Sequence, residues 1–305
     1  MSLLRRSRSS GAHSACGMTR CSSPKGISLT DLEGRVAFIT GVARGQGRAH
    51  AVKLASLGAD IIGVDICKDI DSMDYPNASR EDLEETVRLV EAEGRRMVGR
   101  VADVRDRAGL AAAFQEGFAE FGRLDIIIAN AGIVRLTPCA EEERETLWRD
   151  IIDTNLTGAW NTVEVALPAL RVGGRGGSIV LTSSSAGLKG TASDQAGSQA
   201  YTAAKRGLVG LMQTLASQYA PEWIRVNTIH PTGVVSGMTM NATMEKLFAA
   251  AAAGEGAGMA TMQNALPIPI LQSEDIANSV AWLVSDEAKF VTGIALPLDA
   301  GFNVR

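Results

Sequence analysis

From residue 32 onward, short apolar runs alternate with stretches in which apolar residues recur every three or four positions. Strands alternating with helices in this way build an α/β domain on a parallel sheet. Strands are predicted at 35–40, 60–65, 96–101, 125–129, 178–182, 224–229 and 294–298. A helix is predicted over 46–57, closed by Gly58, and Ser79-Arg80-Glu81-Asp82 is a capping box opening a second one. The apolar face of that second helix is Leu83, Val87 and Val90, and Gly94 ends it; Leu110, Phe114, Phe118 and Phe121 mark the core stripe of the next. No linker or internal repeat interrupts the series, so residues 32–305 read as one domain. Two segments break the rhythm. Residues 66–78 exceed the usual two to six residues of a strand-to-helix loop. Residues 238–269 are rich in Ala and Met, with Gly254, Gly256 and Gly258 at their centre, and are the expected substrate lid.

Composition narrows the class. At 305 residues and 46% hydrophobic the chain can bury a large core, and its 32 glycines follow no Gly-x-y period, so they belong to turns and close contacts. The longest aliphatic runs, such as Ile126-Ile127-Ile128-Ala129, fall far short of the ~20 residues of a membrane-spanning helix. Cys16, Cys21, Cys67 and Cys139 show neither zinc nor paired spacing, which excludes a disulfide scaffold and fits a reducing cytoplasm. No His/Cys/Asp cluster has metal-ligand spacing. Arg5, Arg6, Arg8, Arg20 and Lys25 give residues 1–30 a local +5, leaving −9 elsewhere against the overall −4. An acidic body argues against a nucleic-acid partner. The basic, Ser-rich leader (residues 1–31) has transit-peptide composition without a secretory apolar run, and is expected to be a disordered tail or to precede a true start at Met18.

Three motifs carry chemistry. Thr40-Gly41-Val42-Ala43-Arg44-Gly45-Gln46-Gly47 lies between a predicted strand and helix, where glycines let the backbone approach a pyrophosphate at the helix N-terminus. Asp65, eighteen residues after Gly47, ends the second strand. A carboxylate there accepts the ribose hydroxyls of NAD and repels the 2′-phosphate of NADP, whereas Arg44 would welcome that phosphate; Asp65 lies where the phosphate would go, and NAD is expected. Tyr201 and Lys205, four apart, share a helix face, and an ammonium near a phenol favours the phenolate. Bringing a phenol from about 10 to neutrality takes about 4 kcal/mol, so Lys205 is expected to need help from a positive nicotinamide. Thr182-Ser183-Ser184-Ser185 places hydroxyls at a strand end, where one can hold a substrate oxygen while the phenol exchanges its proton.

In this order, with Asn130-Ala131-Gly132, Asn155 and Pro231-Thr232-Gly233, these motifs make residues 32–302 resemble the short-chain dehydrogenase/reductase family. The resemblance implies a single Rossmann-type, doubly wound sheet of about seven parallel strands in the order 3-2-1-4-5-6-7, a helical lid and a homotetramer. It assigns Tyr201 as acid/base, Lys205 as the residue that tunes it and binds the nicotinamide ribose, Ser184 as the substrate-orienting serine and Asn155 as holder of a proton-relay water. Gly41, Arg44, Gly45, Gln46 and Gly47 then border the cofactor phosphates, Asp65 and Ile66 the ribose, Asp103 and Val104 the adenine, and Asn130, Ala131 and Gly132 the centre of the cleft. Pro231, Gly233, Val234 and Ser236 border the nicotinamide. Val235-Ser236-Gly237 stands where the family more usually carries Asn-Thr-Pro, a change expected to loosen the entry to the lid. The 66–78 insertion, Arg44-Gly45-Gln46-Gly47 and Ile229-His230-Pro231-Thr232-Gly233 are similar to the mycofactocin-coupled, carveol-dehydrogenase-like subgroup. That resemblance implies tightly held NAD reoxidised in place by a redox peptide, and an oxidoreductase acting on a hydrophobic secondary alcohol or ketone.

Other readings stay open at this point: a freely exchanging reductase of carbonyl or acyl-carrier substrates, and a non-catalytic NAD-binding redox sensor. Met238, Met240, Met244, Phe248, Met259 and Met262 either line a substrate cavity or pack the lid onto the body. His230 is expected to bond locally, His50 to be structural and Cys67 to be unactivated.

Overall fold

The computed structural model describes residues 30–190, 192–252 and 263–305. The leader up to residue 29, and Gly254, Gly256, Gly258, Met259 and Met262 of the expected lid, lie outside the described residues. Seven strands, β1 (Val36–Thr40), β2 (Asp60–Asp65), β3 (Met97–Val101), β4 (Ile126–Ala129), β5 (Gly177–Thr182), β6 (Ile224–Pro231) and β7 (Ala295–Leu298), form one parallel sheet in the order β3-β2-β1-β4-β5-β6-β7. Eight helices accompany them among the described residues: α1 (Gly45–Ser56), α2 (Arg80–Ala92), α3 (Arg107–Phe121), α4 (Arg144–Ile152), α5 (Gly158–Val172), α6 (Ala196–Tyr219), α7 (Ala242–Ala252) and α8 (Ser273–Val284). The order matches the expected one, and strand limits differ from the predicted ones by at most two residues.

Burial on both faces explains the unbroken apolar runs. In β1, Val36 and Phe38 enter one core layer while Ala37 and Ile39 enter the other; in β4, Ile127 and Ala129 oppose Ile126 and Ile128 in the same way. The first layer is closed by Phe114 of α3, Val163 of α5 and Met212 of α6, with the Phe114 ring 4.9 Å from that of Phe38. The second is closed by Leu54 of α1, Leu83 and Val90 of α2 and Val280 of α8. The predicted capping box forms at the head of α2, where the Asp82 N–H donates to Ser79 Oγ (3.2 Å) and the Ser79 N–H to Asp82 Oδ2 (2.9 Å).

Because β1 sits between β2 and β4, the strand order reverses there, and a crevice opens outside the strand C-termini. Residues 66–78 form neither strand nor helix, yet they are tied down. Ser72 donates to Asp150 (2.6 Å), Arg135 to the Ser72 carbonyl (3.2 Å), Thr137 to Asp74 (2.5 Å) and Thr243 of α7 to the Asp74 carbonyl (3.3 Å). Helices α4 and α5 run on through a single π-helical turn, Asp153–Thr157, of the kind that marks functional sites. No helix among the described residues is long and apolar enough to cross a membrane.

Candidate active site

The glycine loop brings α1 down flush on the end of β1. Gly41 (φ +68°) and Gly45 (φ +54°) adopt the left-handed region, and a Cβ on Gly47 would run into the Gly41 carbonyl oxygen. Gly47 therefore lies under the loop rather than along the crevice; Gly41, Arg44, Gly45 and Gln46 line it. Two side chains pin the loop. Asn130 Nδ2 donates to the Thr40 and Gly41 carbonyls (3.1 and 3.2 Å) from the inside. Arg48, which belongs to none of the three motifs, donates through Nε and Nη2 to the Ala43 carbonyl (3.0 and 2.5 Å) and through Nη2 to the Asp82 carbonyl (2.8 Å), fixing the loop to α2. Its only signal in the sequence is a second cation one helical turn after Arg44.

At the end of β2, Asp65 Oδ2 accepts the Ala43 N–H (2.9 Å) and Oδ1 the Cys67 N–H (3.4 Å). Burial pushes its carboxyl pKa up, while these backbone donors and Arg44 pull it back. Arg44 spans three segments: its guanidinium donates to the Pro76 carbonyl (2.7 Å) and lies against Gly237 at the entry to the lid. Asp103 is gripped by Arg105 (Nη2 at 2.8 Å), which reaches Asp150 (2.7 Å), and Ile66, Val104, Ala131 and Gly132 complete this wall. Tyr75, buried in the 66–78 segment, accepts the Val134 N–H (3.2 Å), with burial raising its phenol to about 12. No motif includes it either, although an aromatic in a polar insertion is a usable signal.

Tyr201 and Lys205 share one face of α6 as expected, Lys205 Nζ lying 5.5 Å from the Tyr201 ring centre and donating to the Thr182 carbonyl (2.7 Å). Burial lowers Lys205 to about 7 and raises the Tyr201 phenol, and Ser184 beside that phenol lowers it only in part. Burial thus opposes the charged form of both groups. Ser184 Oγ also accepts the Ala186 N–H (3.2 Å), and its carbonyl accepts His230 Nδ1–H (2.8 Å), while the Thr228 hydroxyl bonds the other ring nitrogen (2.8 Å). His230 is thus bonded locally. Asn155, in the π-helical turn, is fully buried: Oδ1 accepts the Ile133 N–H (3.1 Å) and Nδ2 donates to the Ile133 and Ile151 carbonyls (2.8 and 2.9 Å). Its side chain braces the backbone beside Gly132.

A second cavity of about 460 Å³ adjoins the crevice. Ser184, Pro231, Gly233 and Val234 border it, and Gln46, Ser183, Tyr201, Ser236 and Met238 border both spaces. Met238, Met240 and Met244 line it, which decides between the two readings of the methionines that are described. Phe302, near the other end of the chain, also closes it. The entry to the lid is not loose: Thr239 Oγ1 donates to the Val234 carbonyl (2.5 Å) and accepts the Ser236 N–H (3.1 Å). The groups present fit a dinucleotide, with a flush glycine turn at one end, a strand-end carboxylate beside it, and Gln46 Oε1 and Thr154 Oγ1 buried along the crevice without protein partners. Among the described residues no group of three or more His, Cys, Asp or Glu side chains could hold a metal ion.

The family model described as short chain dehydrogenase matches residues 35–247. The chain belongs to the short-chain dehydrogenase family. An uncharacterized oxidoreductase of Mycobacterium tuberculosis is 53% identical over 271 residues, covering 89% of this chain and 97% of that relative. The (-)-trans-carveol dehydrogenase of Rhodococcus erythropolis is 45% identical over 281 residues, 91% of this chain and all of the relative. A crystal structure of carveol dehydrogenase from Mycobacterium avium in complex with NAD superposes with a TM-score of 0.83 at 46% identity, covering 90% of this chain and 99% of that one.

Proposed function

We propose that this short-chain dehydrogenase is an NAD-dependent alcohol dehydrogenase that interconverts hydrophobic secondary alcohols and ketones and holds its cofactor tightly. The observation that carries the reading is that Tyr201 borders both the crevice that starts at Asp65 and the methionine-lined cavity. Bound NAD supplies the hydride acceptor and a positive charge. Asp65 receives the adenosine ribose hydroxyls. Ser184 orients the alcohol oxygen, Tyr201 takes its proton, and Lys205 passes that proton toward solvent from a backbone braced by Asn155. Met238, Met240 and Met244 favour an apolar, adaptable substrate, alicyclic or terpenoid in kind, and the carveol dehydrogenase relatives support this class.

Arg44, which ties the glycine loop to Pro76 and Gly237, supports slow cofactor exchange and reoxidation in place, with the redox peptide mycofactocin as the partner implied by the subgroup. Two sets of exposed aromatics support a homotetramer. Trp148 of α4 and Trp160 of α5 are 40% and 38% exposed, and Trp282 of α8 and Phe290 just after it 37% and 79%. Two separate self-complementary faces are what a dihedral tetramer needs. A cytoplasmic location fits the unpaired Cys67 and Cys139.

Mass spectrometry of the purified protein for retained NAD, followed by an alcohol panel with an artificial electron acceptor, tests the proposal. Retained NAD and turnover of secondary alcohols with the artificial acceptor are expected. Absence of bound NAD with steady turnover on added NAD(H) would instead favour a freely exchanging reductase.

A further inference from the structure

The described residues give the methionine-lined cavity two kinds of wall. Met238, Met240 and Met244 come from the segment after β6 and from α7, and an unbranched thioether side chain repacks around whatever it meets. Phe302 is built in the opposite way. It is 3% exposed and follows a sharp turn in which Ala300 (φ +49°) and Gly301 (φ +80°) both adopt the left-handed region. The buried Asp299 carboxylate knots that turn, accepting the Gly301 N–H (2.9 Å) and the Asn303 N–H (2.9 Å), and the Asp299 carbonyl accepts the Phe302 N–H (2.9 Å). From outside, the Leu266 N–H donates to the Ala300 carbonyl (2.9 Å). Lys189 Nζ lies 5.2 Å from the centre of the Phe302 ring and donates to the Arg305 carbonyl (2.5 Å). A ring held through its backbone and over its face does not step aside.

The sheet fixes where along a substrate that wall falls. Ser184 follows β5 and Phe302 follows β7, with β6 between them. At about 4.8 Å per strand, the ends of β5 and β7 are about 10 Å apart. An alcohol whose oxygen is held by Ser184 and Tyr201 therefore meets Phe302 with its remote end and not with its reacting carbon. Two polar side chains that also border the cavity are already bonded: Thr232 Oγ1 donates to Asn264 Oδ1 (3.1 Å) and Asn264 Nδ2 to the Ile268 carbonyl (2.7 Å). We propose that Phe302 is a specificity-determining residue, the fixed end wall that sets how long an apolar alcohol the cavity admits, while the methionines adapt to its width. The substrate is thereby read by the length of its hydrocarbon body. This rests on the alcohol dehydrogenase reading above.

The test is a homologous series of trans-4-alkylcyclohexanols, from the unsubstituted ring to the n-hexyl compound, in which the reacting carbon is constant and only the remote end grows. kcat/KM is measured along the series, with the artificial electron acceptor, for wild type, Phe302→Leu and Phe302→Trp. In wild type, kcat/KM is expected to rise as added carbons find apolar contact and then to fall about tenfold or more at the chain that meets the ring. Phe302→Leu is expected to move that break to chains longer by about one or two carbons, and Phe302→Trp to shorter ones. The opposite shifts separate a wall from a structural role, which lowers every member of the series by one factor and leaves the break in place. A break at the same length in all three proteins, a shift in the same direction in both variants, or a wild-type series without a break overturns the inference. Where only one variant folds, the position of its break against wild type decides. Absence of turnover by wild type on every member, the unsubstituted alcohol included, overturns the alcohol dehydrogenase reading itself.

Discussion

The two ends of the crevice are built on opposite principles. At the adenosine end, charged groups are held by the protein itself. Asp65 accepts two backbone N–H groups, Asp103 is gripped by Arg105, and Arg48 and Asn130 pin the glycine loop from either side. At the reaction end, demands are left unmet: Gln46 Oε1 has no partner, Lys205 is lowered to about 7 and the Tyr201 phenol is raised by burial. The first arrangement recognises a ligand by a surface already formed. In the second, burial opposes charge on both Lys205 and Tyr201, a cost that the positive nicotinamide of the proposed cofactor would offset.

Removing the phenol is the sharpest way to break this contrast. Tyr201→Phe is expected to lower kcat about 10³-fold, within the range of general acid–base catalysis, while leaving dinucleotide affinity within about threefold. Steady-state turnover alongside a binding titration checks it, and comparable turnover in the variant would remove the phenol from the chemistry. The adenosine end answers differently. Asp65→Asn should weaken NAD by about tenfold to a hundredfold, the range of a charge-assisted hydrogen bond, and narrow the preference for NAD over NADP. Parallel weakening of both dinucleotides would mean that the carboxylate serves only to hold Ala43 and Cys67.

The same contrast explains what can be read from the sequence. The strands, the glycine loop, Asp65 and the Tyr201–Lys205 pair are legible because they rest on local periodicity and short spacings, such as apolar runs buried on both faces of β1 and β4, whereas the strand order follows only from the family resemblance. Tyr75 is not, because its role is a bond to Val134, 59 positions away. Arg48 owes its role to the Ala43 and Asp82 carbonyls, and Phe302 closes a cavity whose other walls come from the segments after β4, β5 and β6, from α6 and from the lid. The bonds of Asn155 are hidden in the same way, because the π-helical turn directs its amide to the Ile133 and Ile151 backbone, an orientation that no spacing encodes. The pKa of the Tyr201–Lys205 pair escapes the sequence for a related reason. Spacing brings an ammonium to a phenol, but only tertiary burial sets how far both are desolvated.

One group at the well-satisfied end breaks its own pattern, and it offers the subtlest test. His50 lies on α1, directly after the glycine loop and Arg48, fully buried, with neither ring nitrogen bonded. Burial lowers its pKa from the ordinary 6.5 to about 3. Between those values the unfolded chain binds a proton that the folded chain refuses, so stability from this site is complete above 6.5 and declines as the pH falls toward 3. The slope is about 1.4 kcal/mol per pH unit, or about 2 kcal/mol on going from neutrality to pH 5. Urea unfolding of wild type and His50→Leu at pH 7 and pH 5 isolates this share, because every other titrating group is common to the two proteins. The variant should lose about 2 kcal/mol less than wild type over that interval. Identical losses would mean that the imidazole finds a partner or a proton inside the fold. The support beneath the glycine loop would then be as completely bonded as the loop itself, and the contrast between the two ends of the crevice would have no exception.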